Sequence, residues 1–264
     1  RRNIQNKQSC TPHKNGINYQ TELEKLLASL EAERISGNGK KKRLLLHACC
    51  APCSSYVLEY LREKFDITVL YYNPNITERE EYEKRSAELK RLARQMNEES
   101  AGAGQPEEGS VLTEPAALPS GFILVEEGEW EPQRFFEVSK GLENLPEGGE
   151  RCFRCYELRL RETARIAAER GFDYFTTTLT ISPLKNAEKL NEIGVRMAEE
   201  YGVAFLPSDF KKKNGYKRSV ELSEKYGLYR QDYCGCIFSR AERDRRKADG
   251  QPTDAVTVLR KAEL

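Results

Sequence analysis

Hydrophobic positions along this chain follow two patterns, one typical of helices and the other of buried strands. Residues 19–35 place leucines three and four positions apart, which predicts an amphipathic helix, whereas residues 43–47 contain three consecutive leucines, which fits a buried strand. The same patterns predict further helices over 54–64, 77–96, 152–170, 186–201 and 219–226. They predict further strands over 67–72, 122–125, 174–179 and 203–206. Thr77, with Glu80 three residues later, is expected to cap the third helix in a capping box.

Strands that alternate with helices predict an α/β fold, a Rossmann-type parallel sheet with helices on both faces. We expect a single domain with helical additions over residues 19–240. Residues 1–18 are polar and predict a disordered N-terminal tail. Residues 97–120 are rich in Gly, Ser, Pro, Ala and Glu without an apolar period, which predicts a flexible insertion. Residues 241–264 form a predicted charged C-terminal extension.

The composition is typical of a soluble globular protein. Of its 264 residues, 38% are hydrophobic and 32% are charged, and no apolar run approaches the roughly 18–20 residues of a membrane span. The start of the chain has no apolar segment typical of a signal peptide, so we expect a reduced, cytoplasmic environment and no membrane partner. The net charge is only +1, but basic runs near residues 40–43, 211–218 and 243–247 are compatible with a polyanionic partner.

Cysteines provide the most specific chemical signal. Seven of the eight fall into three tight groups, Cys49-Cys50-x-x-Cys53, Cys152-x-x-Cys155 and Cys234-x-Cys236. Disulfides are not expected, because the chain is long, rich in helical patterns and without a secretory signal. Soft metals in zinc or iron–sulfur sites are the usual reason to gather thiols. Seven candidate ligands exceed the four that one zinc ion or one cluster takes.

The first cysteine group follows the predicted strand 43–47, where nucleotide-binding relatives of this architecture hold a phosphate loop. No Gly-rich phosphate-binding motif occurs there, so nucleotide binding is unsupported. On this segment alone, a redox dithiol at Cys50 and Cys53 competes equally with a metal site. The other two cysteine groups favour the metal.

The arrangement of neighbouring cysteines suggests two centres side by side. Cys49 and Cys50 are expected to project in different directions, as adjacent residues of an extended backbone do. Cys234 and Cys236 are expected to bridge in the same manner, with Gly235 allowing close backbone approach. The thiolates would then supply a four-ligand iron–sulfur cluster and a second metal with an open coordination position, as a catalytic metal requires.

Three further features are candidates for chemistry or binding. His47 precedes the first cysteine group, and its role as a packed or a catalytic residue is left open. Ser182 and Lys185 follow a predicted strand in a loop that suits a phosphate or a ribose. Residues 209–218 mix cations with aromatic residues, a pattern suited to phosphate contact and base stacking, although a solvated loop has the same composition.

Several segments together resemble the epoxyqueuosine reductase QueH family, over about residues 19–240 apart from the insertion. The matching segments are His47-Ala48-Cys49-Cys50-Ala51-Pro52-Cys53-Ser54, Tyr72-Asn73-Pro74-Asn75-Ile76, Arg151-Cys152-Phe153-Arg154-Cys155-Tyr156, Thr177-Thr178-Leu179 with Ser182-Pro183, and Tyr229-Arg230-Gln231-Asp232-Tyr233-Cys234-Gly235-Cys236. The resemblance implies a HUP-like fold without the nucleotide loop, and a [4Fe-4S] cluster beside a mononuclear iron.

The resemblance also implies a reaction. Epoxyqueuosine in the anticodon loop of tRNA would lose its epoxide oxygen as water, with two electrons from an unidentified donor and two protons. The cluster would relay electrons and the open iron would act as a Lewis acid. Asp209 is the first candidate for the proton donor and Tyr233 the second. Lys185, Lys211 and Arg218 are expected to contact tRNA phosphates. The insertion and the chain from Arg243 onward are expected outside the site.

Two alternatives remain at this point. An iron–sulfur tRNA thiolase shares the fold and the cysteines, but it needs a phosphate loop such as Ser-Gly-Gly-x-Asp-Ser, which is absent here. A zinc-stabilised RNA-binding module without catalytic activity would explain the cysteines and the basic runs.

Overall fold

The computed structural model describes residues 17–37, 39–101 and 119–251. The predicted tail up to residue 16, residues 102–118 of the predicted insertion and residues 252–264 of the predicted extension lie outside this part. The helices are α1 (Tyr19–Ser36), α2 (Ala51–Leu61), α3 (Arg79–Ala101), α4 (Pro132–Ser139), α5 (Glu150–Glu169), α6 (Ala187–Tyr201), α7 (Gly215–Lys225) and α8 (Ile237–Ala248). The strands are β1 (Lys42–His47), β2 (Phe65–Tyr71), β3 (Ile123–Glu127), β4 (Tyr174–Thr177) and β5 (Ala204–Phe205).

The five strands form one parallel sheet in the order β3-β2-β1-β4-β5. The chain adds β2 and β3 on one side of β1 and then returns to add β4 and β5 on the other. The order therefore reverses at β1, and the loop after β1 lies at a topological switch point, where such sheets bind ligands. The predicted α/β, Rossmann-like fold is confirmed.

Alternating leucines of β1 show how the helices cover both faces of the sheet. Leu44 and Leu46 pack in a core with residues of α1, α2, α3 and α7. Leu45 packs on the opposite face with residues of α5 and α6. All three leucines are fully buried, as is typical of a central parallel strand that helices cover on both faces. The core therefore holds the end of β1, and the cysteines that follow it, in a fixed position.

Several element boundaries differ from the sequence predictions. Helix α3 begins at Arg79 and continues to Ala101, so residues 97–101 of the predicted insertion are helical. The predicted capping box is wrong, because Thr77 lies before the helix and its buried Oγ1 has no hydrogen-bond partner among the described residues. Strand β4 ends at Thr177, whose Oγ1 accepts a hydrogen bond from Leu179 N and so starts a 3-10 turn over Thr178–Ile181.

Two helices were not predicted from the hydrophobic pattern. Helix α4 has only eight residues, too few for a clear period. Helix α8 consists largely of charged residues, so its apolar period is weak, although it covers the start of the predicted C-terminal extension. Within the described residues, no helix has the length and apolar character that crossing a bilayer requires.

Candidate metal centre and adjoining cleft

Each of the three cysteine groups lies at the N-terminus of a helix. Cys50 is the N-cap of α2 and Cys53 belongs to its first turn. Cys152 lies in the first turn of α5, and Cys236 is the N-cap of α8, where its Sγ accepts a hydrogen bond from Ser239 N at 3.3 Å. The partial positive charge of a helix N-terminus stabilises a nearby thiolate. This effect acts at all three places, and it opposes the effect of burial, which disfavours the thiolate.

Cys49, Cys50 and Cys53 form the three-thiol group. Their sulfur atoms all lie within 4.8 Å of one another, and those of Cys49 and Cys50 are 3.7 Å apart. This geometry can hold a metal ion. The prediction that Cys49 and Cys50 project in different directions is wrong, because β1 ends at His47 and the chain turns into α2 between the strand and the thiols. Alternation of side chains requires a continuous strand.

The other four cysteines form the four-thiol group. Cys152, Cys155, Cys234 and Cys236 line one small cavity, and Cys155 and Cys236 are buried. Cys234 also lines a larger open cleft together with Cys49 and Cys53. Cys234 therefore lies where the two groups adjoin. Gly235 beside it has a φ of +116°, and a Cβ there would lie 2.8 Å from Ile76 Cγ1, so the predicted close backbone approach is confirmed.

Most thiols of the two groups ionise with difficulty by themselves, because the pKa is raised for Cys50, Cys53, Cys152, Cys155 and Cys236. Burial raises the pKa of Cys155 to about 11 and that of Cys236 to about 12. A hydrogen bond to Cys49 raises the pKa of Cys50 to about 12, and the thiols of Cys50 and Cys53 that donate to Cys49 lower the pKa of Cys49. Several buried thiolates therefore require compensating positive charge. A metal ion supplies such charge to this donor set.

Buried or partly buried cations supply further positive charge. Lys185 Nζ donates to Cys234 Sγ at 3.3 Å, and Arg159 Nη1 donates to Cys155 Sγ at 3.8 Å. Burial alone would lower the pKa of Lys185, but the negative charges of Cys234, Tyr156 and Glu147 together outweigh burial and raise the pKa. Arg85 Nη1 donates to the carbonyl oxygen of Cys234 at 3.1 Å and fixes the backbone there.

His47 is a packed core residue at the end of β1, two positions before Cys49. It is fully buried, and Arg159 Nε donates to its Nε2 at 3.3 Å. Nε2 also lies 3.1 Å from the carbonyl oxygen of Tyr72, and Nδ1 lies 2.8 Å from Thr177 Oγ1, so both ring nitrogens have polar neighbours in the core. Burial and the charge of Arg159 lower the pKa of His47 to about 3. A neutral imidazole whose two nitrogens both have polar partners fits the packed role, one of the two roles that the sequence left open.

The cleft is lined by thiols on one side and by polar and cationic side chains on the other. Tyr233 lies in its wall, with the guanidinium carbons of Arg85 and Arg243 at 5.1 Å and 4.7 Å from its ring centroid. Burial raises the pKa of Tyr233 above its ordinary value. Arg230 and Arg246 also line the cleft.

The structure brings only some of the predicted binding and catalytic residues to the cleft. Tyr233 and Lys185 line it, but Lys185 contacts a thiol. Asp209 and Lys211 do not line it and form an ion pair with each other at 2.5 Å. Arg218 also lies outside the lining and pairs with Glu59 at 2.8 Å. The assignments of Asp209, Lys211 and Arg218 therefore stay predictions.

Sequence reasoning missed the five arginines that line the cleft, Arg85, Arg159, Arg230, Arg243 and Arg246. Arg230 belongs to a segment that was noted only for its likeness to a family. Arg243 and Arg246 lie on α8, so the expectation that the chain from Arg243 onward lies outside the site is wrong for these two residues. The basic run at 243–247 could have indicated these two arginines. Because α8 was not predicted, the sequence did not show that this run lies next to the cleft.

A parallel α/β sheet with thiols gathered at its switch point defines a protein with a candidate thiolate metal centre. The profile of the family described as epoxyqueuosine reductase QueH matches residues 44–242. A curated relative of that name from Staphylococcus epidermidis is 38% identical over 225 residues, 84% of each chain. One from Streptococcus pyogenes serotype M1 is 39% identical over 223 residues, 84% of this chain and 78% of the relative.

A third relative of the same name, from Thermotoga maritima, is 34% identical over 209 residues, 78% of this chain and 94% of the relative. The chain therefore belongs to the epoxyqueuosine reductase QueH family. This confirms the resemblance seen in the sequence motifs, which lie almost wholly within the matched range.

Proposed function

We propose that this protein reduces epoxyqueuosine at the wobble position of tRNA to queuosine. The observation that carries the proposal is the gathering of seven thiols at the switch point of the sheet in a member of this family. The cleft beside the thiols offers room for a substrate, and its cations suit a polyanion. A modified base that projects from a single-stranded anticodon loop suits such a cleft.

The donor set fits the metals that the proposal needs. Cys152, Cys155, Cys234 and Cys236 would hold a [4Fe-4S] cluster, which takes four thiolates. Cys49, Cys50 and Cys53 would hold a mononuclear iron through three thiolates, which leaves it able to take a further ligand. When bound, these groups supply electrons from an external donor and a Lewis acid for the epoxide oxygen.

The reaction also needs protons, because the epoxide oxygen leaves as water when the carbon–carbon double bond forms. Two electrons and two protons balance this step. Tyr233 holds a proton on Oη at neutral pH, since its pKa is raised, and it lines the cleft. Asp209 remains the second candidate, but its carboxylate pairs with Lys211 outside the lining. We therefore propose Tyr233 as the first proton donor.

Other side chains of the cleft would bind the RNA. Arg230, Arg243 and Arg246 would contact phosphates, which position a nucleic acid without reading its sequence. Gln231 lines the same cleft, and its Oε1 is buried without a hydrogen-bond partner among the described residues. That oxygen would accept a hydrogen bond from the edge of the base.

Metal content and product analysis on one preparation test this proposal. Protein purified without oxygen is expected to be brown, to contain more than four iron atoms per chain, and to convert epoxyqueuosine tRNA with a chemical reductant and without ATP. A single four-coordinate zinc and no conversion would instead support a zinc-stabilised RNA-binding module. Strict dependence on ATP would favour a thiolase.

Tyr233→Phe tests the proton donor. The variant is expected to lower the single-turnover rate roughly 100-fold, because one positioned proton donor contributes about 10²–10⁴-fold. Asp209→Asn is expected to change that rate much less. Iron content, measured in both variants, must stay at the wild-type level. An Asp209→Asn rate that falls further than the Tyr233→Phe rate would reverse the assignment.

A further inference from the structure

Arg159 is an arginine buried between the two thiol groups. It lies on α5, one turn after Cys155, and only 1% of its surface is exposed. Its guanidinium donates to Cys155 Sγ at 3.8 Å, to Asn73 Oδ1 at 2.8 Å and to His47 Nε2 at 3.3 Å. The guanidinium is thus held by acceptors on three separate elements of the fold.

None of these acceptors is a carboxylate. Among the described residues, no Asp or Glu forms an ion pair with Arg159, although a buried charge normally has a counter-charge. The groups that raise the pKa of Arg159 when they are ionised are the thiols of Cys155, Cys234 and Cys49. Cys49 belongs to the three-thiol group and the other two to the four-thiol group. The counter-charge of Arg159 therefore comes from both groups.

We infer that Arg159 is a positioning residue that supplies a shared positive charge to both thiol groups and thereby keeps the reduction potential of the cluster high. The inference rests on the proposed function, since it concerns the iron that the thiols would hold. An added electron makes the centre more negative, and a fixed cation stabilises the reduced state more than the oxidised state. Loss of the cation should make reduction harder.

The contacts of Arg159 fix the place of its charge. The planar guanidinium binds several groups at once, and its Nε lies 3.3 Å from Nε2 of the buried His47 imidazole. Asn73 Nδ2 donates to the carbonyl oxygen of Ala48 at 2.9 Å, so the same amide joins Arg159 to the loop that carries Cys49. Lysine at this position would keep the positive charge, but it would lose the planar set of donors by which the guanidinium binds several groups at once.

The test is a redox titration of anaerobic, iron-loaded protein without tRNA, in which electron paramagnetic resonance monitors the reduced cluster. Wild type is compared with Arg159→Gln, Arg159→Lys and a control, Arg62→Gln. Arg62 is also a buried arginine, but it lies at the opposite end of α2 from Cys50 and donates to the carbonyl oxygens of Met96 and Gly121. Arg62 is buried like Arg159, and its change to Gln also removes one positive charge.

We expect Arg159→Gln to shift the midpoint potential to more negative values, Arg159→Lys to shift it less, and Arg62→Gln to leave it unchanged. If Arg159→Gln fails to take up iron while Arg159→Lys succeeds, the requirement for charge is also supported. An unshifted potential in Arg159→Gln, or equal shifts in both Arg159 variants, would overturn the inference. Failure of both to load iron, with Arg62→Gln intact, would show a packing role instead.

The outcome is separate from that of the proposed function. The potential is a property of the loaded centre and does not depend on any conversion of tRNA. If the potentials shift as expected but wild type converts no epoxyqueuosine, the proposed reaction is wrong and the role of Arg159 stands.

Discussion

His47 shows at the scale of one residue how burial decides what a side chain does. From the sequence alone, a histidine next to a cysteine group is a candidate metal ligand or catalytic base. In the structure its Nδ1 contacts Thr177 Oγ1 and its Nε2 contacts the carbonyl oxygen of Tyr72 and the guanidinium of Arg159, so both nitrogens are used within the core. The ring supports the residues around the thiols and does not reach the cleft lining.

The depressed pKa of His47 predicts a dependence of stability on pH. The folded state holds His47 neutral down to about pH 3, whereas the unfolded state binds a proton below its ordinary pKa of 6.5. This contribution is fully present above pH 6.5 and is lost as the pH falls, by up to about 1.4 kcal/mol per pH unit. Denaturant unfolding of wild type and His47→Gln between pH 7.5 and 5.5 measures it.

The neutral amide of His47→Gln cannot take up a proton in this range. Its stability should therefore fall less steeply with decreasing pH than that of wild type, even though the variant is less stable at pH 7.5. Contributions of the thiols and of bound metal are common to both proteins. Parallel slopes would contradict the buried, neutral state of His47.

At the scale of elements, the important arrangement is the convergence of three helix N-termini on one region. Helices α2, α5 and α8 each begin with a cysteine at the N-cap or in the first turn. Cysteine is a poor helix former, and its position at a helix start allows it to accept backbone hydrogen bonds, as Cys236 does. The spacing of each pair therefore follows from the geometry of a helix start.

Gly235 connects the segment after α7 to α8. Gly235→Ala tests whether its backbone conformation and its close packing are required. Its φ of +116° disfavours any side chain, and the new Cβ would also lie 2.8 Å from Ile76 Cγ1 and 3.2 Å from Arg85 Nη1. We expect a loss of about 1–3 kcal/mol in unfolding free energy and a lower iron content. Denaturant unfolding and iron analysis measure the two effects.

Gly227→Ala is the matched control for this change. Gly227 also has a positive φ, +56°, but a Cβ there would meet no atom within 4 Å. This variant should lose only about 1 kcal/mol and keep its iron. Equal losses of iron in the two variants would mean that the close approach at Gly235 has no special role.

At the scale of the whole molecule, the cleft joins segments that are far apart in the chain. The sequence predicted the parallel sheet, because consecutive leucines and helical periods are local signals. It also predicted that the seven thiols serve two neighbouring metal centres. It did not predict which thiols lie together, since the turn between His47 and α2 and the docking of α8 depend on tertiary packing. Arg243 reaches the cleft because α8 folds back on the preceding segment, where Arg243 pairs with Asp232 at 2.8 Å.

The double variant Arg243→Gln/Arg246→Gln tests the proposed phosphate contacts of the cleft. Each lost phosphate contact should weaken tRNA binding and reduce the slope of log affinity against log salt concentration by about 1. The measurement is the Kd for an anticodon stem-loop over a series of potassium chloride concentrations. Arg165→Gln is the control, because Arg165 pairs with Glu162 and Glu169 outside the cleft. An unchanged slope in the double variant would exclude these phosphate contacts.

The position of Cys236 at the start of α8 has a consequence for how the protein is made. Synthesis delivers Cys49 early and Cys236 only after nearly all of the sheet and its helices, yet both belong to adjoining thiol groups. A growing chain lacks the last two of its clustered thiols until α7 has left the ribosome. If the thiols hold metal as proposed, complete metal uptake requires that Cys234 and Cys236 have been synthesised and that α8 has docked, so metal binding reports on correct folding.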